Sequence, residues 1–304
     1  MRKILVLGGN GFIGRNLCIY LVEKGEDVYS FDMSKPEVEN PAIHYLEGDF
    51  FDDYVLESIV KGMDVIYHAI STVNPGNSNE KFLLGYERDF LQTVKLCSYL
   101  VNTSTRMIFL SSGGTVYGNQ KVQPITEEAT TVPINHYGNV KLCIENTIRT
   151  FNFQMRKNML IARISNPYGP GQDYHKGVGF IDAAIKKALN HECIEIWGDG
   201  TIVRDYIYIS DVCRLLYALS NYQGDKEIFN LSSNLGKSQN EIIEILRKIN
   251  PDIEVVYKPG RKVDAKKIIL DNSRILSICD IKLMDFEVGL GKYYDYVQQL
   301  KNRS

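Results

Sequence analysis

The chain has 304 residues, of which 44% are hydrophobic and 24% charged, an ordinary composition for a globular protein with a large core. Its formal net charge of -2 excludes the broad positive field that attracts nucleic acid or an anionic membrane surface. The six cysteines and five histidines show no metal-ligand spacing, and no stretch of about 18 uncharged apolar residues occurs. We therefore expect a reduced cytoplasmic protein with no metal, no nucleic-acid partner and no membrane insertion.

Six strands are predicted in the first half of the chain from short, apolar, β-branched runs, at 4–7, 28–31, 44–47, 65–69, 107–111 and 160–164. The segments between them carry apolar residues at helical spacing. Strands joined by helix-length connections are typical of βαβ units, and their continuous apolar character indicates a sheet covered on both faces. The fold class predicted is therefore α/β, with a doubly wound parallel sheet.

The pattern changes after about residue 165. A loop rich in Gly and Pro precedes a predicted helix at 180–189 and a short strand at 195–197. Ser238 and Glu241 match a capping box that opens a further helix. We predict a first domain over 1–165, to which a segment near 206–231 returns, and a smaller mixed α/β domain over 166–304.

A glycine-rich turn follows the first predicted strand and opens the first predicted helix, with Gly8, Gly11 and Gly14 in order. Glycine lets the backbone approach a pyrophosphate, and the helix N-terminus offers free N–H groups to that anion. Asp32 ends the second predicted strand, where a carboxylate can accept hydrogen bonds from an adenine-ribose diol and would repel a 2′-phosphate. The cofactor predicted is NAD rather than NADP.

Tyr137 and Lys141 are four residues apart, so on a helix they share one face. A neighbouring ammonium and a cationic nicotinamide favour a phenolate, so we expect the pKa of Tyr137 to lie below its usual value of ~10. Such a phenolate could take a proton from a hydroxyl while hydride leaves its carbon. Ser111, Ser112 and Thr115 follow a predicted strand, where hydroxyls face the ligand cleft of such sheets.

These motifs, in this order, resemble the extended short-chain dehydrogenase/reductase family and, within it, the UDP-hexose 4-epimerases. The likeness continues through 163–171, 198–212 and 259–264, so it covers nearly the whole chain. It implies a Rossmann-type NAD-binding domain, a substrate domain, and a UDP-sugar that is transiently oxidised at C4 and re-reduced on its other face.

The resemblance also assigns contacts to single residues. Asp49 would hold the adenine amino group, while Asn166, Arg204 and Arg261 would contact the nucleotide sugar, the two arginines at its diphosphate. The remaining implied cofactor contacts are Phe12, Ile13, Phe50, Ala69 and Ser111, and the remaining implied substrate contacts are Tyr206, Asp264 and Ile268.

The residues before Tyr117 distinguish the reactions of this family. Dehydratases and decarboxylases typically carry a Glu two places before that tyrosine, and dehydratases an Asp before the Glu, whereas this chain has Thr115 and Gly114. Without those carboxylates, elimination of water has no obvious acid or base, which favours an epimerase that only moves hydride.

Two positions leave the chemistry open. Gly113 lies where epimerases usually place the Ser or Thr that bonds the reacting O4, so Ser111, Ser112 or Thr115 would have to supply this hydroxyl. Ile268 lies at a gate position where a tyrosine is associated with exclusion of N-acetyl sugars. An isoleucine would admit an N-acetylhexosamine, and it is equally consistent with ordinary core packing.

Two alternative functions remain, an NAD(P)-dependent nucleotide-sugar reductase or dehydrogenase and a non-catalytic NAD-binding protein. The sequence does not identify the nucleotide base, the sugar (glucose or galactose, their N-acetyl forms or a uronic acid) or a lipid linkage. The resemblance further implies a homodimer, formed by helices near 82–100 and 137–150 with apolar surface from Leu91, Val94, Leu142 and Ile148.

Overall fold

The structure, a computed structural model, describes residues 1–172, 179–260 and 265–302. Seven strands form one parallel sheet: β1 (Lys3–Leu7), β2 (Asp27–Asp32), β3 (Ile43–Glu47), β4 (Val65–His68), β5 (Arg106–Ser112), β6 (Leu160–Ile164) and β10 (Ile228–Leu231). Their order across the sheet is β10-β6-β5-β4-β1-β2-β3. The order reverses between β1 and β4, which opens a crevice at the carboxyl ends of these strands, where ligands of such folds bind.

The six strands predicted from apolar runs are confirmed, each with ends that differ by at most one residue. β4 and β6 are buried along their whole length, because helices cover both faces of the sheet. The predicted α/β class with a doubly wound parallel sheet is therefore confirmed.

The helical segments of the described chain are α1 (Phe12–Glu23), α2 (Asp53–Val60), α3 (Phe82–Leu84), a π-helical turn (Gly85–Phe90), α4 (Leu91–Leu100), α5 (Gly113–Val116), α6 (His136–Met155), α7 (Phe180–Leu189), α8 (Ile209–Asn221), α9 (Gln239–Ile249), α10 (Ser273–Leu276) and α11 (Phe286–Lys301). None of them combines the length and the apolar character that a membrane span requires.

Two hydrophobic clusters cover the two faces of the large sheet. α1 and α8 contribute to the first cluster through Leu17 and Leu216. α2, α4 and α6 contribute to the second through Leu56, Leu96 and Ile148. Ile148 is 0% exposed, so its predicted place in an apolar dimer surface is wrong: it packs against the sheet instead.

A smaller mixed part adjoins the large sheet. β9 (Val203–Tyr208) pairs with β7 (Asn166–Tyr168), β11 (Gly236–Ser238) and β13 (Lys267–Ile268), and β8 (Ile194–Trp197) pairs with β12 (Val255–Lys258). α7, α9 and α11 enclose a separate core with these strands. The capping box is confirmed, since Ser238 Oγ accepts from Glu241 N–H and the Glu241 carboxylate accepts from Ser238 N–H. The division of the chain between residues 165 and 166 stays a prediction.

Candidate active site

The turn between β1 and α1 brings three glycines close together. Gly8 has a φ of +86°, and an ideal Cβ at Gly14 would lie 2.1 Å from the carbonyl oxygen of Gly8. Within the described ranges, no side chain caps the N-terminus of α1, which follows Gly11. The turn therefore offers free backbone N–H groups without side chains in front of them, and the diphosphate of a dinucleotide fits this arrangement.

A cavity of about 490 Å³ opens beside this turn, and we name it the dinucleotide groove. Six of the predicted cofactor contacts line it: Gly8, Gly11, Asp32, Asp49, Phe50 and Ala69. Phe12 lines a neighbouring cavity instead. The side chain of Ile13 packs on the hydrophobic core under α1, so its predicted contact is not supported by its position.

Asp32 lies at the end of β2, where its carboxylate is held by the backbone. Its Oδ2 accepts from Asn10 N–H at 3.0 Å, and its Oδ1 accepts from Met33 N–H at 2.8 Å. Each carboxylate oxygen can accept a second hydrogen bond, which is the capacity that a ribose diol requires. Asp49 is exposed at the groove, and its Oδ1 accepts from Phe51 N–H at 2.9 Å.

The second cavity, also about 490 Å³, lies between the carboxyl ends of β5 and β6 and the smaller sheet, and we name it the catalytic cavity. Residues predicted from distant parts of the chain meet in its wall: Phe12, Ser112, Thr115, Tyr137, Asn166, Arg204, Tyr206 and Ile268. Arg261 and Asp264, also predicted to bind substrate, lie outside the described residues.

Helix α6 places Tyr137 and Lys141 on one face, as the spacing predicts. Asn135 caps the helix, since its Oδ1 accepts from Gly138 N–H at 2.8 Å. The Lys141 Nζ donates to the carbonyl oxygen of Leu110 at 3.1 Å and lies 5.5 Å from the centroid of the Tyr137 ring. This hydrogen bond attaches the lysine to the end of β5, beside the wall of the catalytic cavity.

Burial shifts the pKa values of both residues. It lowers the pKa of Lys141 to about 8, and the charge of Asp89 opposes that change. It raises the pKa of Tyr137 above the usual value, and the charge of Asp89 adds to that change. In the protein without a nicotinamide, desolvation of the phenolate therefore dominates. The predicted lowering of the Tyr137 pKa, which includes the charge of a bound nicotinamide, stays a prediction.

The loop after β5 shows which hydroxyl groups can reach a substrate. An ideal Cβ at Gly113 would lie 2.3 Å from Leu270 Cδ1, so this position faces the protein interior. Ser112 and Thr115 line the catalytic cavity, and Thr115 Oγ1 donates to the carbonyl oxygen of Ser112 at 3.5 Å. The Ser112 hydroxyl makes no hydrogen bond to any residue in the described part of the chain, so it is the better candidate to bond a substrate oxygen.

Ser111 is turned away from the cavity. Its hydroxyl donates to Glu145 Oε1 at 2.5 Å, and Arg163 Nη2 binds the other oxygen of that carboxylate at 2.6 Å. All three side chains are buried behind the cavity wall. The hydroxyl of Ser111 is therefore engaged by a buried ion pair, and the cofactor contact that the resemblance implies for Ser111 stays a prediction.

Asn166 and Arg204 are held in the cavity by backbone carbonyl oxygens. Asn166 Nδ2 donates to Asp205 O at 2.9 Å, and Arg204 Nη1 donates to Ala265 O at 2.8 Å. Ile268 is 4% exposed and packs in a small core with Leu270, yet it also lines the cavity. Ile268 thus belongs to a core cluster and also borders the cavity, and its role as a gate for N-acetyl sugars stays a prediction.

Sequence reasoning missed Asp89, a buried carboxylate that acts electrostatically on Tyr137 and Lys141. No motif contains it, and a single aspartate in a helical segment usually lies on a solvated face. The signal in the sequence is the four-residue spacing between Asp89 and Thr93. Residues four apart lie on the same face of a helix, so a buried Thr93 places Asp89 on the buried face as well.

Comparison with known proteins identifies the family. Residues 4–232 match the NAD dependent epimerase/dehydratase family. The chain is 30% identical to a dTDP-4-dehydro-6-deoxyglucose reductase of Escherichia coli, with 90% of each chain covered. It is 27% identical to a UDP-glucose 4-epimerase of Halalkalibacterium halodurans, with 90% of this chain and 89% of that one covered.

The solved structures agree with this result. A UDP-glucose 4-epimerase of Thermotoga maritima with UDP-glucose superposes with a TM-score of 0.92 at 29% identity, covering 98% of this chain and 99% of that chain. The chain therefore belongs to the NAD-dependent epimerase/dehydratase family, and its cofactor is NAD.

Proposed function

We propose that this chain is an NAD-dependent 4-epimerase of a UDP-sugar. The observation that carries the proposal is the catalytic cavity, whose wall contains Tyr137, Ser112 and Arg204. The two positions at which dehydratases of this family carry acidic residues are Gly114 and Thr115 here. The cavity thus offers a proton acceptor and a polar anchor, without the carboxylates that elimination of water would use at these positions.

Bound NAD would supply the acceptor and donor of one hydride. Tyr137 would take and return the proton of the C4 hydroxyl, and the ammonium of Lys141 would stabilise the phenolate. Ser112 would bond the same hydroxyl oxygen. Arg204 would bind the diphosphate through its guanidinium N–H groups. Attachment through the diphosphate would let the hexose ring turn, so that either face of C4 can be presented.

Turnover without added cofactor tests this function. The purified protein is incubated separately with UDP-glucose, UDP-galactose, their N-acetyl forms and UDP-glucuronic acid, and the products are separated by chromatography. We expect the C4 epimer of at least one substrate. Tyr137→Phe should still bind NAD while its turnover falls by about 10²–10⁴-fold. If none of these sugars is interconverted, the proposal is wrong.

A one-way nucleotide-sugar reductase is the second candidate. The absence of a hydroxyl at Gly113 and the 30% identity to the Escherichia coli reductase favour it. A reductase consumes reduced nicotinamide in proportion to product, and an epimerase shows no net consumption. The absorbance of reduced nicotinamide during turnover therefore separates the two enzymes. A non-catalytic NAD-binding protein would show neither sugar conversion nor consumption of reduced nicotinamide.

We also propose that two copies of the chain pair through α4 and α6. Leu91 is 51% exposed on α4, and Val94 and Leu142 are half-buried. Light scattering after size exclusion should report twice the chain mass of 34.6 kDa, and Leu91→Glu should shift the protein toward the single-chain mass. A single-chain mass for the unchanged protein would contradict the pairing.

A further inference from the structure

A buried carboxylate lies in the turn that packs against the helix of the Tyr137–Lys141 pair, and the proposed proton transfer does not use it. Asp89 lies in the π-helical turn between α3 and α4 and is 4% exposed. Its charge raises the pKa of Tyr137, in the same direction as burial, and opposes the lowering of the Lys141 pKa by burial. The charge of Asp89 therefore disfavours the phenolate of Tyr137 and favours the ammonium of Lys141.

The packing of the π-helical turn explains why Asp89 is close to the pair. An ideal Cβ at Gly85 would lie 3.0 Å from Val73 and 3.2 Å from Val140, so the turn is held between the loop after β4 and helix α6. Asn139 Nδ2 donates to the Tyr86 hydroxyl at 2.7 Å. These contacts attach the turn to the segment of α6 that carries the pair, and π-helical turns are frequent at functional sites.

Asp89 also holds the wall of the dinucleotide groove. Its carboxylate accepts from Thr72 N–H at 2.9 Å and from the Ser71 hydroxyl at 2.8 Å, and both of these residues line the groove. Its carbonyl oxygen accepts from Thr93 Oγ1 at 2.6 Å. One residue thus holds the groove wall from the turn that packs against α6.

Glu145 also acts on the pKa of Lys141, whereas the pKa of Tyr137 is raised by burial and by the charge of Asp89. Burial lowers the pKa of His68 to about 3, so this side chain is neutral near pH 7. Glu145, one turn beyond Lys141 on α6, is paired with Arg163 at 2.6 Å. Arg88 directs its guanidinium over the Phe51 ring at 4.7 Å. Among the described residues, Asp89 is therefore the buried carboxylate whose charge acts on Tyr137, from the turn that precedes α4.

We propose that Asp89 is a positioning residue of the acid–base pair, which holds the groove wall at Ser71 and Thr72 against helix α6 and offsets the positive charge of Lys141 at Tyr137. This role rests on the proposed function of Tyr137 and Lys141. Removal of the charge should let the Tyr137 phenolate form at a lower pH, because the carboxylate of Asp89 would no longer repel the phenolate.

The test follows the ionisation of Tyr137 directly. The protein, saturated with NAD, is labelled with ¹³Cζ-tyrosine, and the resonance lost in Tyr137→Phe identifies the residue. Asp89→Asn keeps the shape of the side chain, and the Ser71 hydroxyl can accept from the new amide. We expect the midpoint of the Tyr137 titration to fall by about one pH unit in Asp89→Asn. The pH profile of kcat/KM should move in the same direction.

Glu87→Gln is the matched control, since it removes an exposed carboxylate from the same turn and should leave the midpoint unchanged. If Asp89→Asn does not fold, Asp89→Ser removes the charge and leaves space for a water molecule. An equal or higher midpoint in a folded neutral variant overturns the role of Asp89. The titration needs no sugar. A negative result in the titration is therefore distinct from failure of the proposed function, which would show as a lack of sugar interconversion.

Discussion

At the scale of single residues, the wall of the catalytic cavity shows how one side chain serves two purposes. Ile268 belongs to a buried core cluster with Val116 and Leu270, and it also borders the cavity. Gly113 is held by the same core, because Leu270 fills the space that a serine side chain would need. A side chain at Gly113 would therefore have to displace Leu270, and the adjacent Ser112 is the hydroxyl that lines the cavity.

Ile268→Tyr should narrow the substrate range. The core side has no space for a ring, so the larger side chain must enter the cavity and reduce the volume left for an N-acetyl group. We expect the ratio of kcat/KM for UDP-N-acetylglucosamine to that for UDP-glucose to fall by about 10-fold or more, as measured by product chromatography. Ile268→Leu, of similar volume, is the control, and an unchanged ratio in the tyrosine variant would discard the idea.

At the scale of secondary structure, helix α6 brings the acid–base pair to the cavity through a close approach to α5. An ideal Cβ at Gly138 would lie 2.7 Å from the carbonyl oxygen of Thr115. Glycine is therefore required for the first turn of α6 to reach this depth. The residue next to it, Tyr137, takes its position from that approach.

Gly138→Ala should lower both stability and activity. Alanine favours a helix by about 1 kcal/mol over glycine, but the contact with a backbone oxygen costs about 1–3 kcal/mol and moves Tyr137 outward. We expect a net loss of stability in chemical denaturation and a fall in kcat. Gly291→Ala in α11 is the control, because an added Cβ there meets nothing within 4 Å and should stabilise the protein. Equal effects of the two variants would refute this explanation.

At the scale of the whole molecule, the large sheet contains a buried histidine whose protonation destabilises the folded protein. His68 is 1% exposed at the end of β4, between the rings of Phe50 and Phe109, and its Nε2 lies 2.8 Å from Thr93 Oγ1. Burial lowers its pKa to about 3. Below pH ~6.5 the unfolded chain therefore binds a proton at this residue that the native protein does not bind, and stability falls as the pH falls toward 3.

His68→Phe should remove part of this acid sensitivity. Because phenylalanine cannot titrate, the variant should become more stable relative to the unchanged protein as the pH falls from 6.5 toward 3, by up to about 1.4 kcal/mol per pH unit. Urea denaturation at several pH values, with NAD saturating, measures this difference. His44→Phe replaces an exposed histidine and should change the pH dependence of the free energy of unfolding much less. Parallel pH dependences of His68→Phe and the unchanged protein would contradict the prediction.

The features that the sequence determined are those in which the deciding contacts lie close together along the chain. Apolar runs identify the strands, because both sheet faces are covered. The spacing of Gly8 and Gly14 predicts a tight turn, and four-residue spacing places Tyr137 and Lys141 on one face of a helix. The capping box at Ser238 follows for the same reason, since its two hydrogen bonds span three residues.

Only the tertiary structure decided the features that depend on distant segments. Ser111 and Ser112 are adjacent, yet the first bonds Glu145 on α6 and the second opens to the cavity. Likewise Asp89 gains its influence on Tyr137 from helix packing rather than from a motif. Burial, hydrogen-bond partners and charge fields belong to the assembled fold, because each depends on which segments the packing brings together.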